Sequence, residues 1–466
     1  MIPYFPKTIS SKGLTFYIVS LLVVSIAFFS HAMPFMWMLL GILEVTIFFT
    51  LSSRYSKEWQ TGSANDYVRS LFWIAVLLRF VWVVFSYFFY QAQTGQPFEY
   101  GAADSLGYHG DAEWMAGEDW NVMWNYLYKS RNGYSDSGYM TYLTIVYKIF
   151  GPSVFIARVL KCFISAFTCI LLYRLTSRCI SEQVGRLAGV FAVFMPNLII
   201  YCGLHLKETE MIFLIVAFLE RTDFVMRSKR FKVWNILLPI ALAGAMFTFR
   251  TVLGAVALFS FITAIVFSPN RMMKKGRRIT VAIWVVLAIV FLAGGAIMNE
   301  VEQYWNDRGM NQDVKRTQQT VRGNQWAQYA TGTVLAPMIF VMPFSTMVDT
   351  GQENQMVMHG GNYVRNFMGV FVLITLFVVF FKKKNWREFS LIGAFVAGYL
   401  GIIATSGFAN SERFLLPALP CLVIMWAYGI SELTPKSFKF VKYWYVIVLV
   451  MEIGWAYFKI GSRGLL

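Results

Sequence analysis

A lipid bilayer is crossed by about 20 consecutive, mainly apolar residues, and this chain offers thirteen stretches of that kind. They lie at 14–30, 33–50, 69–90, 154–176, 186–204, 211–225, 233–250, 252–268, 279–298, 364–381, 388–405, 414–431 and 443–458. Helices satisfy their own backbone polar groups inside hydrocarbon, so the pattern predicts an all-α polytopic membrane protein, a bundle of about 13 transmembrane helices. Composition agrees: 57% of the 466 residues are hydrophobic and only 14% are charged, too oily for a soluble fold. The five cysteines, Cys162, Cys169, Cys179, Cys202 and Cys421, sit in or beside apolar stretches without CxxC spacing. Neither a disulfide framework nor a thiolate metal site is supported. Lys7 and Lys12 precede the first apolar stretch, which lacks a small-residue cleavage site and reads as an uncleaved anchor.

The net charge of +16 would suit nucleic acid, but its distribution does not. With the N-terminus cytoplasmic, the segments that fall inside carry 25 of the 41 Lys and Arg and only seven of the 25 acids. That is the positive-inside signature of a membrane protein. The same rule makes "YMTYLTIVYKIFG" (139–151) an interfacial or re-entrant helix and keeps "TVLAPMIFVMPFSTMV" (333–348) from crossing. One integral membrane domain spanning 1–466 follows, with two large outer loops, 91–153 and 299–363, and short inner ones. Chemistry is expected outside.

The first outer loop holds seven acids, Glu99, Asp104, Asp111, Glu113, Glu118, Asp119 and Asp136, against three bases, Lys129, Arg131 and Lys148. If 103–116 is helical, Asp104, Tyr108 and Asp111 share one face while His109 and Glu113 share another; Gly107 and Gly110 weaken that helix. A carboxylate partly desolvated at the membrane surface can take a proton from an acceptor hydroxyl or amine; an acidic outer loop that is merely solvated is the plain alternative. Basic residues recur where spans meet the outer surface: Arg158, Lys161, Lys207, Arg250, Arg365 and Arg413. Singly, such charges snorkel to headgroups. Converging, they clamp a lipid phosphate, because Arg binds phosphate oxygens bidentately. Base beside clamp is what transfer from a phospholipid-linked donor requires. The four histidines, His31, His109, His205 and His359, fall on the outer side, with His205 three residues before Glu208. With Asp104 or Asp111 they admit a divalent metal, but no HxH or HExxH spacing supports one; no cofactor is assigned.

"ADSLGYHGDAEWMA", "GPSVFIARVLKCFISAFTCILLYRLTSR" (151–178), "VGRLAGVFAVFMPNLIIYCGLHLKETEMIFL" (184–214), "FTFRTVLGAVAL" (247–258) and "ERFLLPALPCLVIMWAYGI" (412–430) together resemble the GT-C glycosyltransferase superfamily. The likeness lies nearest the branch of protein O-mannosyltransferases and aminoarabinose transferases. It implies a polyprenyl-phosphate-linked sugar donor, a glycan, lipid or protein acceptor, and an acidic base in the first outer loop, at Asp104 or Asp111. It further implies that Arg158, Lys207, Glu208, Arg250 and Arg413 line the donor cavity; charge and position then make Arg158, Lys207, Arg250 and Arg413 the candidates for holding the donor phosphate, and Tyr108, His109, His205 and Glu208 the candidate substrate contacts. The implied location is a bacterial inner membrane, with the site facing the periplasm. Two features depart from the family: a hairpin at 14–50 precedes the loop, and seven positions separate its two Asp residues. The competing readings are a polymerase, ligase or oligosaccharyltransferase with a diphosphate-linked donor, and a lipid-linked-saccharide flippase. A flippase calls for mid-membrane acids, broken helices and internal repeats; only Glu44 and Glu452 read as deep in spans, and no repeat is found.

Overall fold

The computed structural model describes residues 3–127, 135–228, 233–267, 336–404 and 411–461. In chain order its helices are α1 (Lys7–Ala27), α2 (Phe35–Glu58), α3 (Ala64–Thr94), α4 (Ala103–Gly117), α5 (Trp120–Asn125), α6 (Ser137–Phe150), α7 (Val154–Cys179), α8 (Glu182–Phe194) and α9 (Pro196–Ile200). There follow α10 (Glu208–Arg227), α11 (Val233–Phe249), α12 (Thr251–Phe267), α13 (Glu353–Val357), α14 (His359–Lys382), α15 (Ser390–Ala404), α16 (Glu412–Ser431) and α17 (Pro435–Gly461). Among the described residues there is no strand, only a single bridge between Ala32 and Val348. The molecule is an all-helical integral membrane protein: among the described residues, seven helices are long and apolar enough to cross a bilayer, eight if the bent α8–α9 pair is one span. Twelve of the thirteen apolar stretches coincide with helices; the stretch 279–298 lies outside the described residues.

The longest helix, α3, shows how local sequence sets the frame. Ser63 caps it by accepting the Asp66 N–H at 3.1 Å, and Gly95 ends it at φ 77°, a conformation glycine adopts without a Cβ penalty. Between the caps the helix runs 31 residues, longer at both ends than the stretch 69–90. At its middle sits Arg79, fully buried. Its place inside a span corrects the sequence reading, which left no base there. The reason lies 113 residues away. Pro196 has no N–H and breaks the stretch 186–204, so that α8 and the segment Pro196–Gly203 meet at 56°. The break frees the carbonyls of Ala192 and Val193, and Arg79 donates to both, at 3.1 and 3.2 Å. Its Nε meets Ser165 at 2.6 Å. The broken helix is therefore sealed by a guanidinium and does not open a polar path, unlike the interrupted helices of transporters.

A second junction joins the leading hairpin to α14. Glu44 on α2 accepts the N–H of Gly361, in the first turn of α14, at 2.8 Å, placing a carboxylate on the positive end of that helix. The His359 ring gives one nitrogen to the Met356 carbonyl at 2.6 Å, so that nitrogen carries the proton, and the other accepts the Tyr17 hydroxyl at 2.7 Å. A Cβ on Gly41 would strike the His359 ring, and one on Gly360 would strike the Glu44 carboxylate. Over this junction the segment 339–350 runs without helix. It is fastened by Ser345 N–H to Asn366 Oδ1 at 3.1 Å and Ser345 Oγ to the His359 carbonyl at 2.8 Å. At the other end of the bundle, Arg178 pairs with Glu220 and Asp223, and Glu432 with Lys382 and Lys383. That end is the one the charge rule places in the cytoplasm.

Replacing Arg79 with Ala leaves two buried carbonyls without partners, at about 1–3 kcal/mol each. The variant should unfold at a distinctly lower temperature in detergent, with Arg79→Lys intermediate; an unchanged midpoint would contradict the sealing role.

Candidate active site

The described residues of the loop 91–153 form α4, α5 and α6, with α4 packed on α6 and α6 against α11, despite the glycines in α4. Tyr108 on α4 meets Tyr139 on α6 edge-to-face at 5.0 Å, anchoring the helix. Asp104 in the first turn of α4 is thereby aimed at the bundle. There it forms an ion pair with Arg413 at the start of α16, 309 residues along the chain. The same guanidinium binds Glu208 through Nε at 2.5 Å. Arg250 approaches Glu208 from behind at 3.7 Å, and its guanidinium lies 4.5 Å from the centre of the Phe414 ring. Carboxylate, cation, carboxylate and cation thus alternate across α4, α16, α10 and the α11–α12 corner.

Asp104 and Arg413 line a cavity of about 700 Å³ whose wall also includes Glu99, Tyr201, Asn354, Gln355, Asn362, Glu412 and Lys459. Pockets of about 300–1,000 Å³ are the size that encloses a small organic ligand. Of the basic residues read as a phosphate clamp, only Arg413 reaches the described wall. Arg250 stands one layer behind it. Arg158 is buried and donates to the Pro97 carbonyl at 2.5 Å. Lys161 donates to the carbonyls of Leu204 and Leu206 and lies 3.6 Å from Glu210. Lys207 pairs with Asp136 and donates to the Phe249 carbonyl at 2.9 Å. Burial first, then Arg250, draw the Lys207 ammonium down to about 7, while the touching Asp136 carboxylate favours its charged form. Arg365 reaches the Pro343 carbonyl at 3.0 Å and Asn362 at 3.2 Å. Asp111 lies two turns beyond Asp104, half-buried and off the described cavity wall.

The histidines form a separate ladder. His109 binds the Tyr147 hydroxyl at 2.8 Å, and that hydroxyl binds His205 at 3.2 Å. Glu113 lies 3.7 Å from His109 at the outer end. Burial lowers the pKa of both imidazoles, that of His205 strongly, with Lys161 and Arg158 adding to the effect there. Burial also pushes the Tyr108 phenol up to about 12. Among the described residues, no three of His, Cys, Asp or Glu gather as metal ligands would.

Glu99, Glu412, Asn362 and Lys459 belong to the cavity although the sequence did not single them out as site residues. Glu412 stands directly before Arg413, the residue the sequence did single out. Lys459 had a signal, being the cation just past the outer end of the last span.

The architecture and the cavity together define an integral membrane protein with a polar chamber at the end of its bundle, closed over by the first loop. No family model matches the sequence, and no curated protein matches it. Among solved structures, the chain is similar to ArnT from Cupriavidus metallidurans, in a crystal structure bound to undecaprenyl phosphate, at 11% identity and a TM-score of 0.48, covering 86% of this chain and 77% of that one.

His205 is neutral when folded and takes up a proton when unfolded below about pH 6.5. Its contribution therefore destabilises the fold as pH falls through that value. His205→Gln should flatten the dependence of the unfolding midpoint on pH between about 6.5 and 5, measured against the wild-type chain.

Proposed function

We propose that the protein is a glycosyltransferase that moves a sugar from a polyprenyl-phosphate donor to an acceptor at the outer membrane face. The observation that carries this reading is the Asp104–Arg413–Glu208 bridge on a polar cavity bounded by membrane helices. The motifs that resemble GT-C enzymes converge there: the first-loop acid, the "HLKETE" turn, the "FTFRTV" corner and the "ERFLLP" helix start.

The side chain of Asp104 is 56% exposed and that of Glu208 is fully buried. An incoming phosphate therefore competes with Asp104 for the outward face of Arg413, while Glu208 keeps holding the other. Donor binding frees the Asp104 carboxylate next to the anomeric carbon. The acceptor hydroxyl gives its proton to Asp104 and its oxygen forms the new bond to that carbon. The bond from the anomeric carbon to the phosphate oxygen breaks on the opposite side, with inversion. The electron pair stays on the prenyl phosphate, whose charge is balanced by Arg413, with Arg250 behind. The described wall presents three carboxylates, Glu99, Asp104 and Glu412, against two cations, Arg413 and Lys459. That balance favours one phosphate over the diphosphate of an oligosaccharide donor.

Asp104→Asn should lower transfer by about 10²–10⁴-fold while the donor KM stays within a few-fold, measured with purified protein and lipid products identified by mass spectrometry. Full activity in that variant would end the assignment of the base. Arg413→Lys keeps the charge but loses the fork that reaches two carboxylates, and should raise the donor KM as well as lower kcat.

A further inference from the structure

The cavity wall beside the Asp104–Arg413 pair carries two further carboxylates, Glu99 and Glu412, that the transfer step does not use. Glu99 is 6% exposed; one of its oxygens takes the Ser105 hydroxyl, and the other is buried at the cavity with no hydrogen-bond partner in the protein. Glu412 receives the Asn362 amide at 2.5 Å. The amide groups around them each already give one N–H to the protein. Asn354 Nδ2 gives to the Tyr100 carbonyl at 2.5 Å and Gln355 Nε2 to Gln352 at 2.5 Å. Asn362 Oδ1, meanwhile, is occupied by Arg365 and Asn197. Two carboxylates, Glu99 and Glu412, stand here with the ammonium of Lys459, which gives to Gln355 Oε1 at 3.4 Å. Carboxylate oxygens placed so match a ligand that brings O–H or N–H donors, because a buried acceptor is costly to leave without a partner.

We propose that Glu99 and Glu412, steadied by Ser105 and Asn362, form a saccharide subsite that accepts hydrogen bonds from the hydroxyls or ammonium of a neutral or amino sugar ring. The subsite deepens the transferase reading and rests on it. The ring belongs either to the donor or to the acceptor glycan, and the two sources are separable.

The test uses the full chain in detergent, with binding followed by calorimetry against farnesyl phosphate, farnesyl-phosphoryl monosaccharides and free oligosaccharides. If the donor sugar occupies the wall, the wild-type protein binds a farnesyl-phosphoryl sugar at least tenfold more tightly than farnesyl phosphate. Glu99→Gln and Glu412→Gln then erase the difference without weakening farnesyl phosphate. If the acceptor occupies it, the free oligosaccharide binds instead and the same variants abolish that binding. Glu412→Asp, which keeps the carboxylate, should restore part of the selectivity, and an unchanged unfolding midpoint shows that each variant is folded. Sugar binding that is equal in wild type and variants, or absent from every arm, overturns the subsite. Failure of farnesyl phosphate to bind the wild-type protein overturns the donor reading instead, with the free-oligosaccharide arm still deciding the subsite.

Discussion

One guanidinium holds three distant parts of the chain at a common point. Arg413 is bound by Asp104 from the first outer loop and by Glu208 from the start of α10. Without it, the carboxylates of Asp104 and Glu208 would have no shared cation between them, and the tie that draws α4 to the bundle would be lost. With it, the loop is drawn onto the helices and the cavity acquires its rim. The pairing is asymmetric: Glu208 is sealed in protein and Asp104 stands open, so only one of the two ties can be exchanged for a ligand.

The bilayer explains much of the remaining polar architecture. Each backbone carbonyl released inside the bundle must find a donor within the protein. Arg79 does this at the Pro196 break, Lys161 at the Leu204–Leu206 turn and Lys207 at Phe249. Several cations of the outer half are thus structural partners of carbonyls, and the cavity keeps few for substrate.

This division decides what was legible in the sequence. Apolar helices were readable because hydropathy accumulates over many residues, and so twelve of the thirteen stretches coincide with helices, of which seven or eight among the described residues are long and apolar enough to cross a bilayer. A single cation carries no such average. Arg79 lies at the centre of the stretch 69–90 and was passed over, although Pro196 inside an apolar stretch signalled that orphaned carbonyls needed a donor. Likewise Arg158 and Lys161 had the right type and place for a clamp, and nothing in the sequence shows that each also gives to backbone carbonyls, at Pro97 and at Leu204 and Leu206. The proximity of Asp104 to Arg413 spans 309 residues and has no local trace. Glu99 was one acid among seven, and nothing in its neighbours marks it as the one turned inward.

The glycines at 41 and 360 leave no room for a Cβ between α2 and the start of α14. The two leading helices therefore interlock with the segment whose next residues, Asn362 and Arg365, brace Glu412 and the 341–343 turn. A hairpin that looks like an appended leader is a keystone: sliding it by even one residue would transmit directly to the floor of the chamber. Any relative with a different N-terminal hairpin must have rebuilt that floor by other means.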